Sequence, residues 1–243
     1  LKPAFLRDVA AELARLAAEC ADGPALGIGA PLRDATGLYN AWHVLQGGRV
    51  LAVIRKHHLP NESVFDEKRV FASGPIDGPY RIGPAVIGTP ICEDAWHADV
   101  AETLAEAGAQ ILVVPNGSPH ARGRFDTRMG HMVARVVETG LPLAYLNTVG
   151  GQDDQVFDGA SFVLNPGGRM AHLFPGFVEH IAHVDFDETP EGWRARPGEL
   201  APMPDAIERD YHAMVLGTRA YLHKSGFRRA LLGLSGGVDS ALV

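Results

Sequence analysis

Apolar residues near the start of the chain recur every three or four positions among arginine and glutamate, which predicts an amphipathic helix over residues 4–20. A short apolar run at 25–31 predicts a buried strand. Residues 39–45 and 49–54 lie on either side of Gly47-Gly48, and glycines between two strand-forming runs are a strong hairpin signal. The first quarter of the chain is therefore predicted to be a helix followed by antiparallel strands.

From residue 85 the pattern alternates between continuous apolar runs and helical spacing. The runs predict buried strands over 85–91, 110–115 and 143–147, and the helical spacing predicts helices over 99–107 and 127–139. Strands that alternate with helices in this way form parallel sheets with helices packed on their faces.

Antiparallel signals return beyond residue 150. Residues 157–164 and 169–174 flank the turn residues 165–168 and predict a hairpin, and a last strand is expected near 180–186. Together with the strand–helix–strand units, these hairpins predict an α/β fold with mixed sheets flanked by helices.

A change of composition marks the last part of the chain. Residues 187–205 are rich in proline and charge and have no periodicity, which predicts an interdomain linker. An amphipathic helix is predicted over 206–224 and a strand over 230–234. The expected buried face of that helix consists of Ile207, Tyr211, Met214, Val215 and Leu222.

Composition indicates a globular chain, with 46% hydrophobic and 7% aromatic residues among 243. The net charge of −7 and the lack of a dense Lys/Arg run argue against a nucleic-acid surface, and no apolar stretch is long enough to predict a membrane span. Cys20 and Cys92 are too few for a disulfide scaffold, so we expect a reducing, cytoplasmic location. The chain starts at Leu1 without a methionine, and we expect it to belong to a longer protein.

Two glycines follow the predicted strand at 230–234 and precede a helix predicted to begin at Ser240. Such a turn points several backbone N–H groups into one concavity, and the helix N-terminus adds positive partial charge, so the expected guest is a phosphate or pyrophosphate. A Gly-Gly surface turn is the alternative on spacing alone. Without the lysine of a Walker A motif, the loop would hold pyrophosphate through its backbone. The loop comprises Gly233, Leu234, Ser235, Gly236, Gly237, Val238, Asp239 and Ser240.

Cys92 ends an apolar run and is followed by Glu93 and Asp94. A sharp turn between a strand and a helix can present a thiol to a pocket, and the next backbone N–H groups, beginning with that of Glu93, could stabilise an oxyanion. A cysteine in an apolar strand is more often a core residue. The two acidic residues favour a catalytic thiol, because carboxylates there are costly unless they hold or activate something.

Lys56 lies at the end of the second hairpin strand, where a lysine is ordinarily a solvated charge. In a cysteine-amidase site, however, a fixed ammonium stabilises both thiolate and oxyanion. Ser118 and Arg124 follow another buried strand, so they share a sheet rim with Cys92 if the two strands are parallel neighbours; otherwise they belong to a surface loop. No H-E-x-x-H or C-x-x-C spacing occurs, and a protein-held metal is not expected.

Six motifs occur in order along the chain: KHHLPN at 56–61, VFDEKRVF at 64–71, PICEDAW at 90–96, PNGSP at 115–119, FDGASF at 157–162 and GLSGGVDS at 233–240. Together and in this order, they resemble the family of glutamine-dependent NAD⁺ synthetases. The first five are similar to the family's nitrilase-like glutaminase domain, and the sixth resembles the ATP-pyrophosphatase loop that opens its synthetase domain. The resemblance implies a nitrilase-like αββα sandwich over residues 1–186, a linker at 187–205, and the first elements of a truncated Rossmann-like domain over 206–243.

The resemblance also implies roles for single residues. Cys92 would attack the carboxamide of glutamine and release ammonia, while Lys56 stabilises the oxyanion and Glu67 acts as a secondary acidic residue. The glutamine-binding positions of the family match Glu62, Ser118 and Arg124.

For the second half of the reaction, the resemblance implies that the loop from Gly233 to Ser240 binds ATP, with which Mg²⁺ travels. ATP would adenylate the nicotinate carboxylate of deamido-NAD, and ammonia would then displace AMP to give NAD⁺. The other products are pyrophosphate and glutamate. The family further implies a homo-oligomer, while charge and composition argue against nucleic acid or a membrane as a partner.

The chain departs from the family pattern at two places. The glutamate that serves as general base lies, by the family pattern, upstream of Leu1, and no substitute is found within the chain. The chain also has Glu62-Ser63 where the family usually has Tyr-Gly. A carboxylate at Glu62 would repel the α-carboxylate of glutamine or pair with its ammonium, unless the change is neutral drift on a tolerant loop.

Two other functions remain open on the sequence. A stand-alone carbon–nitrogen hydrolase could act on a small amide, although such an enzyme would not need residues 206–243. A non-catalytic binding or assembly module would account for Glu62 and for the missing base.

Overall fold

The first layer of the computed structural model, which describes all 243 residues, is a three-stranded antiparallel sheet covered by a helix. Helix α1 packs against all three strands, with Leu13 and Ala17 buried. The predicted N-terminal helix and the hairpin across Gly47-Gly48 are confirmed. The elements are α1 (Pro3–Glu19), β1 (Leu26–Arg33), β2 (Leu38–Gln46) and β3 (Arg49–Arg55).

The second layer is a six-stranded mixed sheet with strand order β11-β10-β7-β6-β5-β4. Its centre is parallel, because β5, β6 and β7 run in the same direction, and the outer pairs are antiparallel. The expected strand–helix–strand units are thus confirmed, whereas the short edge strand β4 was not predicted. The strands are β4 (Tyr80–Ile82), β5 (Ala85–Gly88), β6 (Ile111–Asn116), β7 (Leu143–Asn147), β10 (Phe162–Asn165) and β11 (Arg169–Leu173).

Helices α2 (Ala98–Glu106) and α3 (Arg124–Thr139) cover one face of the six-stranded sheet. Alternate residues of β6 separate the two faces: Leu112 belongs to the large core under the helices, and Ile111 packs on the opposite side. Each sheet therefore has helices on one face, as the mixed α/β prediction requires. No helix of the chain combines the length and the apolarity that a bilayer crossing needs.

A two-stranded hairpin occupies the first half of the segment expected to be a linker. It comprises β12 (Phe186–Thr189) and β13 (Gly192–Ala195), and it buries Trp193 against the second face of the six-stranded sheet. The linker prediction is therefore wrong over residues 187–195. The strand expected near 180–186 is also misplaced, since extended pairing begins only at Phe186.

Helix α4 (Ala206–Lys224) has the predicted bounds, and Asp205 caps it by accepting from two backbone N–H groups. Its predicted buried face is wrong at three of five positions: Ile207, Tyr211 and Met214 are more than half exposed, whereas Val215 and Leu222 are partly buried. The helix instead packs through small residues on the hairpin of β8 (Val149–Gln152) and β9 (Gln155–Asp158). A Cβ added at Gly151 would lie 3.0 Å from Ala220 and 3.1 Å from Gly217. Hydrophobic spacing alone could not predict this contact, because glycine and alanine contribute little or no apolar side chain.

The strand predicted over 230–234 is absent. Residues 227–237 form no ladder and are exposed, and a short helix, α5 (Val238–Leu242), begins two residues before the predicted start. A strand is stable only when another strand pairs with it, and none of the strands in this chain reaches this segment.

Candidate active site

A cavity of about 520 Å³ lies between the two sheets. Asn40 and Trp42 of β2 line it from the three-stranded sheet, and Asn116 and Asn147 line it from the ends of β6 and β7. Its chemically reactive side chains are Lys56, Glu67 and Cys92.

Cys92 lies at a sharp turn, as the sequence predicted. It is the first residue of a 3₁₀ helix (Cys92–Trp96) and has a φ of 51°, which is left-handed backbone that costs a non-glycine residue about 1–3 kcal/mol. The strand before it ends at Gly88, so the turn projects the half-buried thiol into the cavity. Glu93 follows as the second residue of the 3₁₀ helix, and its carboxylate lies 3.6 Å from His97 Nε2.

Lys56 and Glu67 form a buried ion pair in the wall of the cavity. The Lys56 Nζ to Glu67 Oε1 distance is 2.7 Å, and the Lys56 side chain is only 2% exposed. The second oxygen of Glu67, Oε2, is buried without a protein partner. Buried polar atoms normally have a hydrogen-bond partner, so this oxygen is available to accept a hydrogen bond from a water molecule or a bound ligand.

Charges and burial act on the thiol in opposite directions. Burial is the largest effect and raises the pKa of Cys92, whereas the Lys56 ammonium lowers it. Glu67 and Glu93 raise the pKa further, and a hydrogen bond from the backbone of Gly117 lowers it. The thiol form is therefore favoured at neutral pH, and a base must remove its proton before it attacks.

The loop after β6 is held by one buried arginine. Arg128 has no exposed surface and forms a 2.8 Å ion pair with Asp158. Its Nε donates to Ser118 Oγ at 2.9 Å, and its Nη2 donates to the carbonyls of Ser118 and Pro119. Asn147 Oδ1 accepts the Ser118 N–H at 2.9 Å. The hydroxyl of Ser118 is thus engaged within the protein, and the neighbouring Gly117 faces the cavity.

The structure brings together only part of the predicted site. Cys92, Lys56 and Glu67 share the cavity, whereas the predicted glutamine-binding residues Glu62 and Arg124 are not among its lining residues. Glu62 is exposed, and the Arg124 guanidinium lies 5.6 Å from the centre of the Trp96 ring. Ser118 is buried directly behind the lining, so the role of this trio stays a prediction.

Sequence reasoning missed the residues that support the site. Arg128 and Asn147 lie outside the six motifs, and their hydrogen-bond partners are 9 to 30 positions away in the chain. Asp158 was noticed only as part of the FDGASF motif. An arginine on the apolar face of a helix, as Arg128 is, was the available signal for a buried ion pair.

Outside the cavity, His57, His58 and Asp99 place potential metal-ligand atoms within 4.8 Å of one another. His58 Nε2 lies 2.9 Å from the Asp99 carboxylate, so this contact is satisfied as a hydrogen-bonded pair. The metal-ligand spacings searched for in the sequence could not identify such a group.

The glycine loop is exposed and bound mainly to itself. Ser235 Oγ and Ser240 Oγ are 3.0 Å apart, and the Ser240 hydroxyl also accepts the Ser235 N–H at 3.2 Å. Gly236 has a φ of 85°, which confirms that the turn needs a glycine.

Comparison with protein families identifies the family of the larger part of the chain. The family model described as carbon–nitrogen hydrolase matches residues 4–195. The chain belongs to this family. A second model, described as NAD synthase, matches residues 210–243. The nitrilase-like fold expected from the sequence is confirmed.

Individual relatives of the chain confirm the resemblance that the motifs indicate. The chain is 61% identical to the glutamine-dependent NAD(+) synthetase of Rhodobacter capsulatus over its whole length, but it spans only 44% of that protein. The structure of a glutamine-dependent NAD+ synthetase from Acinetobacter baumannii, in complex with ADP, matches 97% of the chain with a TM-score of 0.89 and 34% identity; the match covers 44% of that chain. An amidase of the nitrilase superfamily from Nesterenkonia matches 70% of the chain with a TM-score of 0.62 and 26% identity, which covers 64% of the amidase.

Proposed function

We propose that the whole protein is a glutamine-dependent NAD⁺ synthetase and that this chain supplies its glutaminase site together with the start of its ATP site. The main support is the cavity in which Cys92, on a strained turn, lies beside the buried Lys56–Glu67 pair. The NAD synthase match to residues 210–243 of the same chain favours this function over a simple hydrolase.

In the first half of the reaction, the Cys92 sulfur attacks the carboxamide carbon of glutamine. The carbon–nitrogen bond breaks, the nitrogen takes a proton and leaves as ammonia, and the acyl group stays on sulfur as a thioester. Water then hydrolyses the thioester to glutamate. Lys56 stabilises the oxyanion of both tetrahedral intermediates, and the 2.7 Å ion pair with Glu67 holds the lysine in position.

The thiol proton goes to a general base, because burial favours the protonated form of Cys92. Glu67 is the only carboxylate that lines the cavity, and it is already paired with Lys56. We therefore propose that the base is the glutamate that the family places N-terminal to Leu1. Glu62, Ser118 and Arg124 are proposed to bind glutamine, with the backbone N–H of Glu93 as an oxyanion donor.

In the second half, residues Gly233 to Ser240 bind ATP with its Mg²⁺ through their backbone. ATP adenylates the carboxylate of deamido-NAD with loss of pyrophosphate, and ammonia displaces AMP. We propose that residues 206–243 begin this synthetase domain and that hairpin β12–β13 belongs to the glutaminase domain, since Trp193 packs there. A cytoplasmic location is also proposed, because Cys20 and Cys92 are both free, and a homo-oligomer is proposed from the family resemblance alone.

The proposal is tested in the full-length protein with Cys92→Ala. This variant should lose NAD⁺ formation driven by glutamine and keep NAD⁺ formation driven by ammonium, since only the nitrogen donor is affected. Cys20→Ala, at the end of α1, is the matched control and should keep both activities. Survival of both activities in Cys92→Ala would show that the nucleophile is assigned wrongly.

A stand-alone amidase is the second candidate, favoured by the similarity to the Nesterenkonia enzyme over 70% of the chain. It predicts hydrolysis of a small amide such as acetamide in preference to glutamine, with no response to ATP. Assaying the full-length protein with both amides, with and without ATP and deamido-NAD, separates the two functions.

A further inference from the structure

Asp94 is a buried carboxylate whose partners are all backbone amides. Its residue surface is 2% exposed, and it forms no salt bridge. Its Oδ1 accepts the N–H of His57 at 3.1 Å and that of His58 at 2.7 Å, while its Oδ2 accepts the N–H of Ile91 at 3.0 Å. The cavity is not lined by Asp94, so the side chain does not face a substrate there.

The three donors come from two separate parts of the chain that carry the reactive groups. His57 and His58 directly follow Lys56, and Ile91 directly precedes Cys92. The two halves of one carboxylate therefore join the segment with the ammonium to the turn with the thiol. No other side chain of the protein hydrogen bonds to the backbone of both segments.

This arrangement is costly, which argues against an incidental contact. A carboxylate removed from water without a cationic partner loses much of its solvation, and burial accordingly raises the pKa of Asp94 against the effect of its amide donors. The turn it holds is itself strained, with a φ of 51° at Cys92. A strained residue persists only where surrounding contacts over-determine its conformation.

We propose that Asp94 is a positioning residue that fixes the Cys92 thiol relative to the Lys56 ammonium, a role that rests on the proposed glutaminase function. Replacement by asparagine keeps the shape and one accepting oxygen, but it turns an N–H₂ group towards the N–H of Ile91. The turn is then released on one side. The thiol moves away from the ammonium, while the groups that bind glutamine stay in place.

The test uses the full-length enzyme with Asp94→Asn and, as matched control, Asp99→Asn. Asp99 is also next to the turn and pairs with His58 Nε2 at 2.9 Å, but its side chain is half exposed and lies outside the cavity. For Asp94→Asn we expect kcat with glutamine to fall by about 10²-fold, the cost of a small misplacement of reacting groups, with an unchanged KM. Ammonium-driven NAD⁺ formation should stay at the wild-type rate, and Asp99→Asn should match the wild type throughout.

A second readout does not depend on NAD⁺ synthesis. The pH profile of Cys92 alkylation by iodoacetamide should move to higher pH in Asp94→Glu, which keeps the negative charge near the thiol, because the displaced thiolate loses stabilisation by Lys56. Asp94→Glu keeps the charge but lengthens the arm. If Asp94→Asn does not fold, Asp94→Glu should still show the lower kcat with glutamine and the unchanged rate with ammonium.

Two results would overturn the positioning role: wild-type kcat in Asp94→Asn, or an equal fall of glutamine- and ammonium-driven rates with an unchanged alkylation profile. The second result would mean general destabilisation. A wild-type enzyme that makes no NAD⁺ from glutamine would instead refute the proposed function, and the alkylation profile would still decide the role of Asp94.

Discussion

The cavity and the glycine loop differ in how completely this chain builds them. Around Cys92 and Lys56 the two sheets, the 3₁₀ helix and the buried Arg128 fix side chains on several sides. The loop at 233–240 is exposed and its contacts are mostly internal, with no strand beside it. Long-range contacts thus make the first site rigid in this chain, whereas the second depends on local turn chemistry alone.

The two sites should therefore respond differently to substitution. Changes in the cavity should affect both stability and glutamine chemistry, because the same buried groups serve both. Changes in the glycine loop should affect the ATP-dependent step and leave the fold of the rest of the chain almost unchanged. Five predictions are given in order of the expected effect, from the largest to the smallest.

The largest effect is expected for Arg128→Met. Removing this buried arginine leaves Asp158 without its partner and should lower the free energy of unfolding by about 3–5 kcal/mol. Urea unfolding measures the change. Arg122→Met is the control, since its side chain is 77% exposed and its pair with Asp210 should contribute only about 0–1 kcal/mol. Equal unfolding midpoints for the two variants would contradict a rigid cavity wall.

Lys56→Met should reduce kcat for glutamine-driven NAD⁺ formation by about 10²–10³-fold, the usual loss when an oxyanion donor is removed. Ammonium-driven formation should persist, because the loop at 233–240 is untouched. Lys68→Met, an exposed lysine of the 3₁₀ helix that carries Glu67, is the control and should keep both rates. A similar loss in both variants would mean that the rate depends on the net charge of the protein rather than on the position of Lys56 in the cavity.

The pH dependence of thiol alkylation tests the electrostatics of the cavity. Because burial raises the pKa of Cys92, the thiolate should form only above the ordinary thiol pKa of about 8.5. The rate of iodoacetamide modification in a Cys20→Ser background should accordingly rise with a midpoint above that value. Lys56→Met should move the midpoint further up, since the ammonium is the main charge that lowers this pKa. A midpoint below pH 8 would show that the Lys56 charge lowers the pKa of Cys92 by more than burial raises it.

The raised pKa of Cys92 also determines how the free energy of unfolding depends on pH. A thiol that ionises less readily in the folded protein than in the unfolded chain binds more protons when folded at alkaline pH. Its contribution to stability is therefore full below the unfolded pKa and is lost as pH rises towards the folded pKa. In Cys92→Ala, the free energy of unfolding measured in urea should therefore decrease less steeply above pH 9 than it does in the wild type.

The smallest effect on stability is expected for Gly236→Ala. An added Cβ finds open space, but the φ of 85° makes the variant strained by about 1–2 kcal/mol. Glutamine hydrolysis should be unchanged, whereas NAD⁺ formation from ammonium should fall by up to about tenfold. Gly226→Ala at the end of α4, where φ is 75°, has the same strain outside the loop and should keep both activities. Equal losses of activity in the two variants would show that the loop is not part of the ATP site.

Prediction from the sequence succeeded where periodicity or a motif was local. The helix at the start, the parallel strands and the Cys92 turn each depend on neighbours within a few positions, and all three are confirmed. The face of α4 was wrong because its packing uses Gly217 and Ala220 against Gly151, and small residues carry no hydrophobic signal.

The candidate site was predictable only in its reactive groups. Lys56, Glu67 and Cys92 share the cavity as the motifs implied, but the groups that support them depend on contacts distant in sequence. Asp94 illustrates the limit. Its carboxylate was noticed beside Cys92, yet only the fold shows that it also holds the backbone 36 and 37 positions earlier.

The central claim is that Cys92 forms the covalent bond to glutamine, and a trapping experiment tests it most directly. The full-length protein is treated with an electrophilic diazoketone analogue of glutamine, and the adduct is located by peptide mass spectrometry with and without excess glutamine. One adduct per chain on Cys92, suppressed by glutamine and absent from Cys20, is the predicted result. Labelling of Cys20 or another residue, or labelling of Cys92 that glutamine does not suppress, would contradict the account.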